Sequence, residues 1–179
     1  FPFSFLPAFQ SVWNLTIPKG EIYGLVGENG AGKTTLIRLL TGLNFKSEGE
    51  IILFGHQDNL QHERSKIGCT IEMPALYKDM TASQNLEVQR IQRGIPNKKC
   101  ITDTLELIGL SNAGKKRVAN FSLGMKQRLA LGVALLGEPE FLILDEPVNG
   151  LDPTGIIELR ELLKKLVKER EVISNMKSM

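Results

Sequence analysis

The chain has little from which a disulfide scaffold or a metal cluster can be built. Its 179 residues include two cysteines and two histidines. Cys69 and Cys100 stand apart, outside any metal-ligand spacing, and read as reduced thiols of a cytosolic protein. No apolar run approaches the roughly 20 residues that a membrane-spanning helix needs. The start, Phe1-Pro2-Phe3-Ser4-Phe5-Leu6-Pro7-Ala8-Phe9, is apolar but short, has no basic lead-in and carries prolines that oppose a helix, so it does not read as a signal peptide. A charge excess is also missing, the formal net charge being +2. The basic clusters Lys115-Lys116-Arg117 and Lys164-Lys165 are short and scattered, which argues for solvated faces and against a nucleic-acid partner. Internal repeats, low-complexity linkers and sustained heptads are likewise absent. What remains is a chain 42% hydrophobic and 23% charged, long enough to bury an ample core.

Against that background one segment carries most of the information. Gly27-Glu28-Asn29-Gly30-Ala31-Gly32-Lys33-Thr34-Thr35 fits G-x-x-x-x-G-K-[ST]. It follows an apolar run, Ile22 to Val26, and opens an amphipathic one, Thr35 to Leu43. Glycines let the backbone curl so that successive N–H groups point at phosphate oxygens, and the helix that follows adds its positive end to the same place. The Lys33 ammonium reaches the terminal phosphates, and the Thr34 hydroxyl can ligate Mg²⁺. A Gly-rich turn without a ligand is the plainer alternative, and the complete motif in a strand–loop–helix context disfavours it.

The order of patterns gives the architecture. β-rich apolar runs fall at Trp13–Ile17, Glu21–Val26, Glu50–Phe54, Ile67–Ile71, Phe141–Leu144 and Glu171–Ser174. Helical periodicity falls at Lys33–Leu43, Ala82–Arg93, Lys98–Ile108, Leu123–Leu136 and Thr154–Glu169, with Gly94-Ile95-Pro96 separating two of these. Strands and helices alternate at both ends while the middle is nearly all helix. The expectation is an α/β fold: a P-loop nucleotide-binding core (1–73 and 140–179) with a helical subdomain (74–139) inserted into it.

A second group of residues completes the chemistry. Phe141-Leu142-Ile143-Leu144 is a buried-strand pattern that ends in Asp145-Glu146, delivering two carboxylates to the carboxyl end of a strand, where ligands of open α/β sheets bind. Asp145 can hold Mg²⁺ opposite Thr34, and Glu146 can orient or deprotonate the water that attacks a γ-phosphate. Many strands stop at acidic residues; the phosphate loop upstream gives this pair its catalytic reading. Further on, Ser122 reads as the N-cap of the helix running to Leu136. A serine hydroxyl beside Gly124 at a helix start is also an anion site, and a second phosphate site on one domain makes geometric sense when two copies face each other.

Taken in order, the phosphate loop Gly27–Thr34, Ser122–Gln127, Phe141–Glu146 and Gly150-Leu151-Asp152-Pro153 resemble the motifs of an ATP-binding cassette, the ATPase subunit of ABC transporters. The signature, usually L-S-G-G-Q, stands here as Phe121-Ser122-Leu123-Gly124-Met125, and with Lys126-Gln127-Arg128 it is similar to cassettes of exporters for bacitracin and lantibiotic peptides. The resemblance implies that two cassettes sandwich two ATPs, each between the phosphate loop of one copy and Ser122 and Gly124 of the other, with Asp152 in the D-loop. It places Glu72 at the Q-loop position, as a ligand of Mg²⁺ or a positioner of water. It also implies a transmembrane permease partner, a cytoplasmic location on the inner face of the membrane, and export of an antimicrobial peptide. The Phe-Pro-rich start replaces the family's first strand, and Met176 stands about where a switch histidine is expected, so the reading also expects a chain cut at both ends. Two alternatives stay open: a catalytically weak or truncated nucleotide-binding cassette, and a soluble ABC ATPase without a transport role.

Overall fold

A computed structural model describes residues 4–7, 14–18, 22–28, 30–71, 76–167 and 171–175. Contacts divide the chain into two compact units, the first comprising Phe1–Ile71, Pro139–Pro147 and Leu166–Met179 and the second Glu72–Glu138 and Val148–Lys165. Val148–Lys165, which the sequence patterns had grouped with the core strands, clusters here with the helices.

The first unit is a five-stranded sheet in the order β1-β2-β5-β4-β3, built from β1 (Ser4–Pro7), β2 (Ile22–Val26), β3 (Ile67–Thr70), β4 (Phe141–Asp145) and β5 (Glu171–Asn175). Every pairing is parallel. Helix α1 (Lys33–Leu40) follows β2, and the short α2 (Leu60–Arg64) precedes β3. Leu25, Leu36, Ile37, Phe141 and Ile143 form the core between sheet and helix. β4 is buried along Phe141–Leu144, as its unbroken apolar run requires for a strand covered on both faces.

Three local expectations differ from the structure. β1 forms in the Phe-Pro-rich start, where no strand was expected; it is an edge strand, and Pro7 ends it, positions at which a missing N–H is tolerated. Of Trp13–Ile17, Trp13 lies outside the described residues and 14–17 joins no strand, although Leu15 and Ile17 pack on the core while Asn14 and Thr16 are exposed. The strand-like alternation there is a packing pattern without a ladder. Glu50–Phe54 is not a strand either: Phe54 (φ 52°) and Gly55 (φ +83°) reverse the chain at once, and Leu53 and His56 exchange both backbone hydrogen bonds at 2.9 Å. A two-residue turn with both φ positive makes a minimal hairpin.

The second unit packs α3 (Ala82–Gln92), α4 (Lys99–Leu107) and α5 (Leu123–Leu135). Thr81 and Gln84 form a reciprocal capping box at the start of α3. Gly132 is a notch in α5: a Cβ there would lie 2.6 Å from Ile108 Cδ1 and 3.2 Å from Thr104 Cγ2, so a side chain at 132 would require both to move. Asn85 is 2% exposed. Its Oδ1 accepts from Tyr77 N (2.8 Å), and its Nδ2 donates to Tyr77 O (3.0 Å) and Thr81 O (2.9 Å). One buried amide thus holds the 77–81 turn onto α3. Helix α6 (Pro153–Val167) begins in this unit.

Asn85→Ala removes three hydrogen bonds of a buried amide and leaves the Tyr77 N–H and C=O without that partner, so it is expected to lower unfolding free energy by about 2–3 kcal/mol. Urea unfolding of the full chain checks this, and an unchanged midpoint contradicts the clamp.

Candidate functional site

The parallel ladder does the first part of the positioning. With all strands running one way, the carboxyl ends of β2, β5 and β4 lie along one edge of the sheet. The registers Leu25↔Asn175 and Asp145↔Asn175 put the ends of these strands in one row. Two strand spacings, about 10 Å, therefore separate the phosphate-loop strand from the strand that ends in Asp145. Glu146 follows immediately.

The loop itself is built around two left-handed glycines and a buried cation. Gly30 has φ +86° and Gly32 φ +83°. Nothing lies within 4 Å of where a Cβ of Gly30 would be, so its requirement is conformational, not steric. Ala31 N donates to Glu28 O at 3.2 Å, closing the turn. Gly32 is the N-cap of α1, which therefore starts without a side-chain cap. The first N–H groups of a helix have no partner within it, and here no cap side chain competes for them. Lys33 is 7% exposed, and its Nζ donates to Gly27 O (2.5 Å) and Glu28 O (2.9 Å). Two of the three donors of the ammonium thus brace the curl of the loop. Thr34 is half-buried and Thr35 exposed.

At its other end α1 is held by a residue that sequence reasoning missed. Arg64 donates from Nε to Leu40 O (3.0 Å) and from an Nη to Leu39 O (3.2 Å). A guanidinium on the last carbonyls of a helix satisfies them and complements the negative end of its dipole. No local signal in the sequence points to a partner 24 residues away.

Glu146 carries a second feature invisible in the motif. Its φ is 47°, left-handed backbone for a residue with a side chain. The chain turns abruptly after β4 into Pro147, which is buried.

Ser122, Gly124 and Asp152 all belong to the second unit. Ser122 caps α5: Met125 N donates to its Oγ at 3.2 Å. That use consumes an acceptor lone pair and leaves the O–H donor of this exposed hydroxyl. A Cβ on Gly124 would meet Leu151 Cδ2 at an ordinary 3.7 Å, so packing inside the chain does not demand glycine there. Asp152 caps α6, its Oδ1 accepting from Gly155 N at 3.1 Å. Of the other site residues, Asn29 and Glu72 lie outside the described residues, as does Met176. His56 and His62 are exposed on the first unit, away from the motifs. No group of three or more His, Cys, Asp or Glu side chains gathers among the described residues.

A parallel α/β sheet whose phosphate loop and acidic strand share one edge defines a P-loop nucleotide-binding fold. The family described as ABC transporter matches residues 11–149, and the chain belongs to that family. It is 46% identical over 158 residues to the bacitracin transport ATP-binding protein BcrA of Enterococcus faecalis, covering 87% of this chain and 51% of that one. It is 47% identical to the lantibiotic transport ATP-binding protein SrtF of Streptococcus pyogenes, covering 87% of this chain and 67% of that one. Among solved structures, cbiO1 from Clostridium perfringens, described as part of the ABC transporter complex cbiONQ, superposes with a TM-score of 0.82 at 29% identity, over 93% of this chain and 70% of that one. The chain spans about half the length of the bacitracin relative.

The left-handed turn at Glu146 is separable from its carboxylate. Both Glu146→Gly and Glu146→Ala remove the charge, but only glycine suits φ 47°. The glycine variant is expected to be more stable than the alanine variant by about 1 kcal/mol, read as the difference in unfolding midpoints; equal midpoints would show that the backbone there is unstrained.

Proposed function

We propose that this chain is the ATP-binding and ATP-hydrolysing cassette of an ABC transporter, energising a membrane permease that exports an antimicrobial peptide. The observation that carries the reading is the common sheet edge of the phosphate loop, with Lys33 inside it, and the strand ending in Asp145 and Glu146. Names of relatives that state bacitracin or lantibiotic transport support the substrate class.

In this mechanism the glycine-curled backbone of Gly27–Gly32, with Asn29 in the loop, and the uncapped start of α1 bind the phosphates of ATP, and Lys33 offsets the charge of the terminal ones. Thr34 and Asp145 would hold Mg²⁺, with Glu72 as a further ligand; one or two carboxylates together with phosphates are what this ion favours, and a cage of three or more is not required. The metal, when bound, neutralises charge on the β- and γ-phosphates. Glu146 orients the attacking water and takes its proton. The Ser122 O–H and the open face at Gly124 meet the nucleotide held by a second cassette, and Asp152 joins them in the loop that caps α6. The γ-phosphate thereby bonds two subunits, and its loss releases them. No described helix is long and apolar enough to cross a membrane, and the location proposed is peripheral, on the inner face through the permease. The two-part organisation, a nucleotide-binding core with an inserted helical subdomain, is part of the same proposal.

A second reading, nucleotide binding without turnover, is favoured by Met176: a thioether cannot donate a hydrogen bond to phosphate as the family's histidine does.

Lys33→Ala is expected to abolish ATP binding in an equilibrium titration; unchanged affinity would remove the phosphate-loop assignment. Glu146→Gln is expected to bind Mg²⁺-ATP normally and to lose steady-state turnover by a factor on the order of 10² or more. Turnover equal to that of the parent would exclude Glu146 as the base, and a parent that binds without hydrolysing would establish the second reading.

A further inference from the structure

The signature of this chain departs from the usual family pattern at Leu123, where a glycine is usual, and the structure gives that leucine a seat. Gly150 has φ +74°, and a Cβ built on it would lie 2.6 Å from Leu123 Cδ2. The isobutyl group therefore occupies the space that the missing side chain leaves open. Leu123 remains 43% exposed, so this contact with the 149–151 loop is not part of a deep core.

Two more contacts lie near the same end of α5. Gln127, one helical turn beyond Leu123, donates from Nε2 to Asn149 O at 3.4 Å. Gly124 faces Leu151, whose Cδ2 is 3.7 Å from the ideal Cβ position. Asn149, Gly150 and Leu151 thus each meet one of the first five residues of α5, and the two flanking caps fix both segments: Ser122 on Met125, Asp152 on Gly155. The 149–151 loop follows β4, which ends at Asp145, within a few residues.

We propose that Leu123 is a positioning residue that keys the signature turn to the 149–151 loop through the notch at Gly150, so that a shift of the loop downstream of Glu146 moves Ser122 and Gly124 with it. The functional consequence rests on the cassette reading above; the mechanical one does not. In the sandwich arrangement, the key ties the 149–151 loop to the hydroxyl that meets the ATP of the second cassette. A glycine at 123 has no side chain with which to make this link.

The test is a cycle of Leu123→Ala, Gly150→Ala and the double variant in the full chain, read by hydrogen exchange. Each single variant is expected to speed exchange of the amides of 125–127 by about twofold or more, and the double variant by less than the product of the two, because alanine at 123 relieves the clash that a Cβ at 150 makes while the backbone strain at φ +74° remains. Amides of 129–135, deeper in α5, are expected to keep the parent's protection, which distinguishes loss of the key from general unfolding. Independent, multiplying effects in the double variant, or unchanged exchange in Leu123→Ala, would overturn the proposal. The second arm uses a Glu146→Gln background and follows ATP-dependent dimerisation by light scattering. Leu123→Ala is expected to require about twofold or more ATP for half-dimerisation while the ATP affinity of the single copy is unchanged. If the background protein binds ATP but does not dimerise, the sandwich reading fails and the exchange result still decides the key.

Discussion

Strands that all run in one direction cannot be joined by tight turns; each must be followed by a return segment that crosses a face of the sheet. That constraint organises the first unit. It brings the carboxyl ends of β2, β5 and β4 to a single edge, and the registers through Asn175 set those ends level. The phosphate loop and Asp145-Glu146 are remote in sequence and become neighbours because the ladder between them is parallel and in register. An antiparallel strand in the place of β5 would leave the row of strand ends incomplete.

Within that frame the loop solves two problems with one side chain. The loop carbonyls of Gly27 and Glu28 need donors, and the Lys33 ammonium supplies them. A buried cation needs compensation, and the same two carbonyls supply it. Arg64 performs the complementary task at the far end of α1. The helix is thus held by cationic groups at both poles, one braced against the loop and one on its terminal carbonyls.

Much of this was readable from the residues. The strand–loop–helix around Lys33, the buried run of β4 and the helical middle follow from period, glycine placement and motif spacing, and the structure has each of them. What escaped was whatever depends on partners distant in sequence or on backbone sign. Leu15 and Ile17 alternate as strand residues do, but burial alternates without a ladder when the chain merely lies across a core. Glu50–Phe54 has strand composition, and the positive φ of Phe54, a residue that rarely adopts it, undoes the strand. The left-handed backbone of Glu146 is equally hidden, because glutamate gives no hint of it. Arg64 on α1 and Leu123 on Gly150 are contacts between segments, and no local pattern encodes them.

The notch at Gly132 has a consequence for how the helices of the second unit can move. A smooth interface between two helices lets one slide along the other in small increments, with side chains exchanging neighbours gradually. Where Ile108 and Thr104 are seated against bare backbone, the fit opposes such creep: an axial shift would bring their side chains toward positions of α5 that carry a Cβ. The pair α4–α5 is thereby keyed at one register, with Thr104 and Ile108, the residue that caps α4, seated at Gly132.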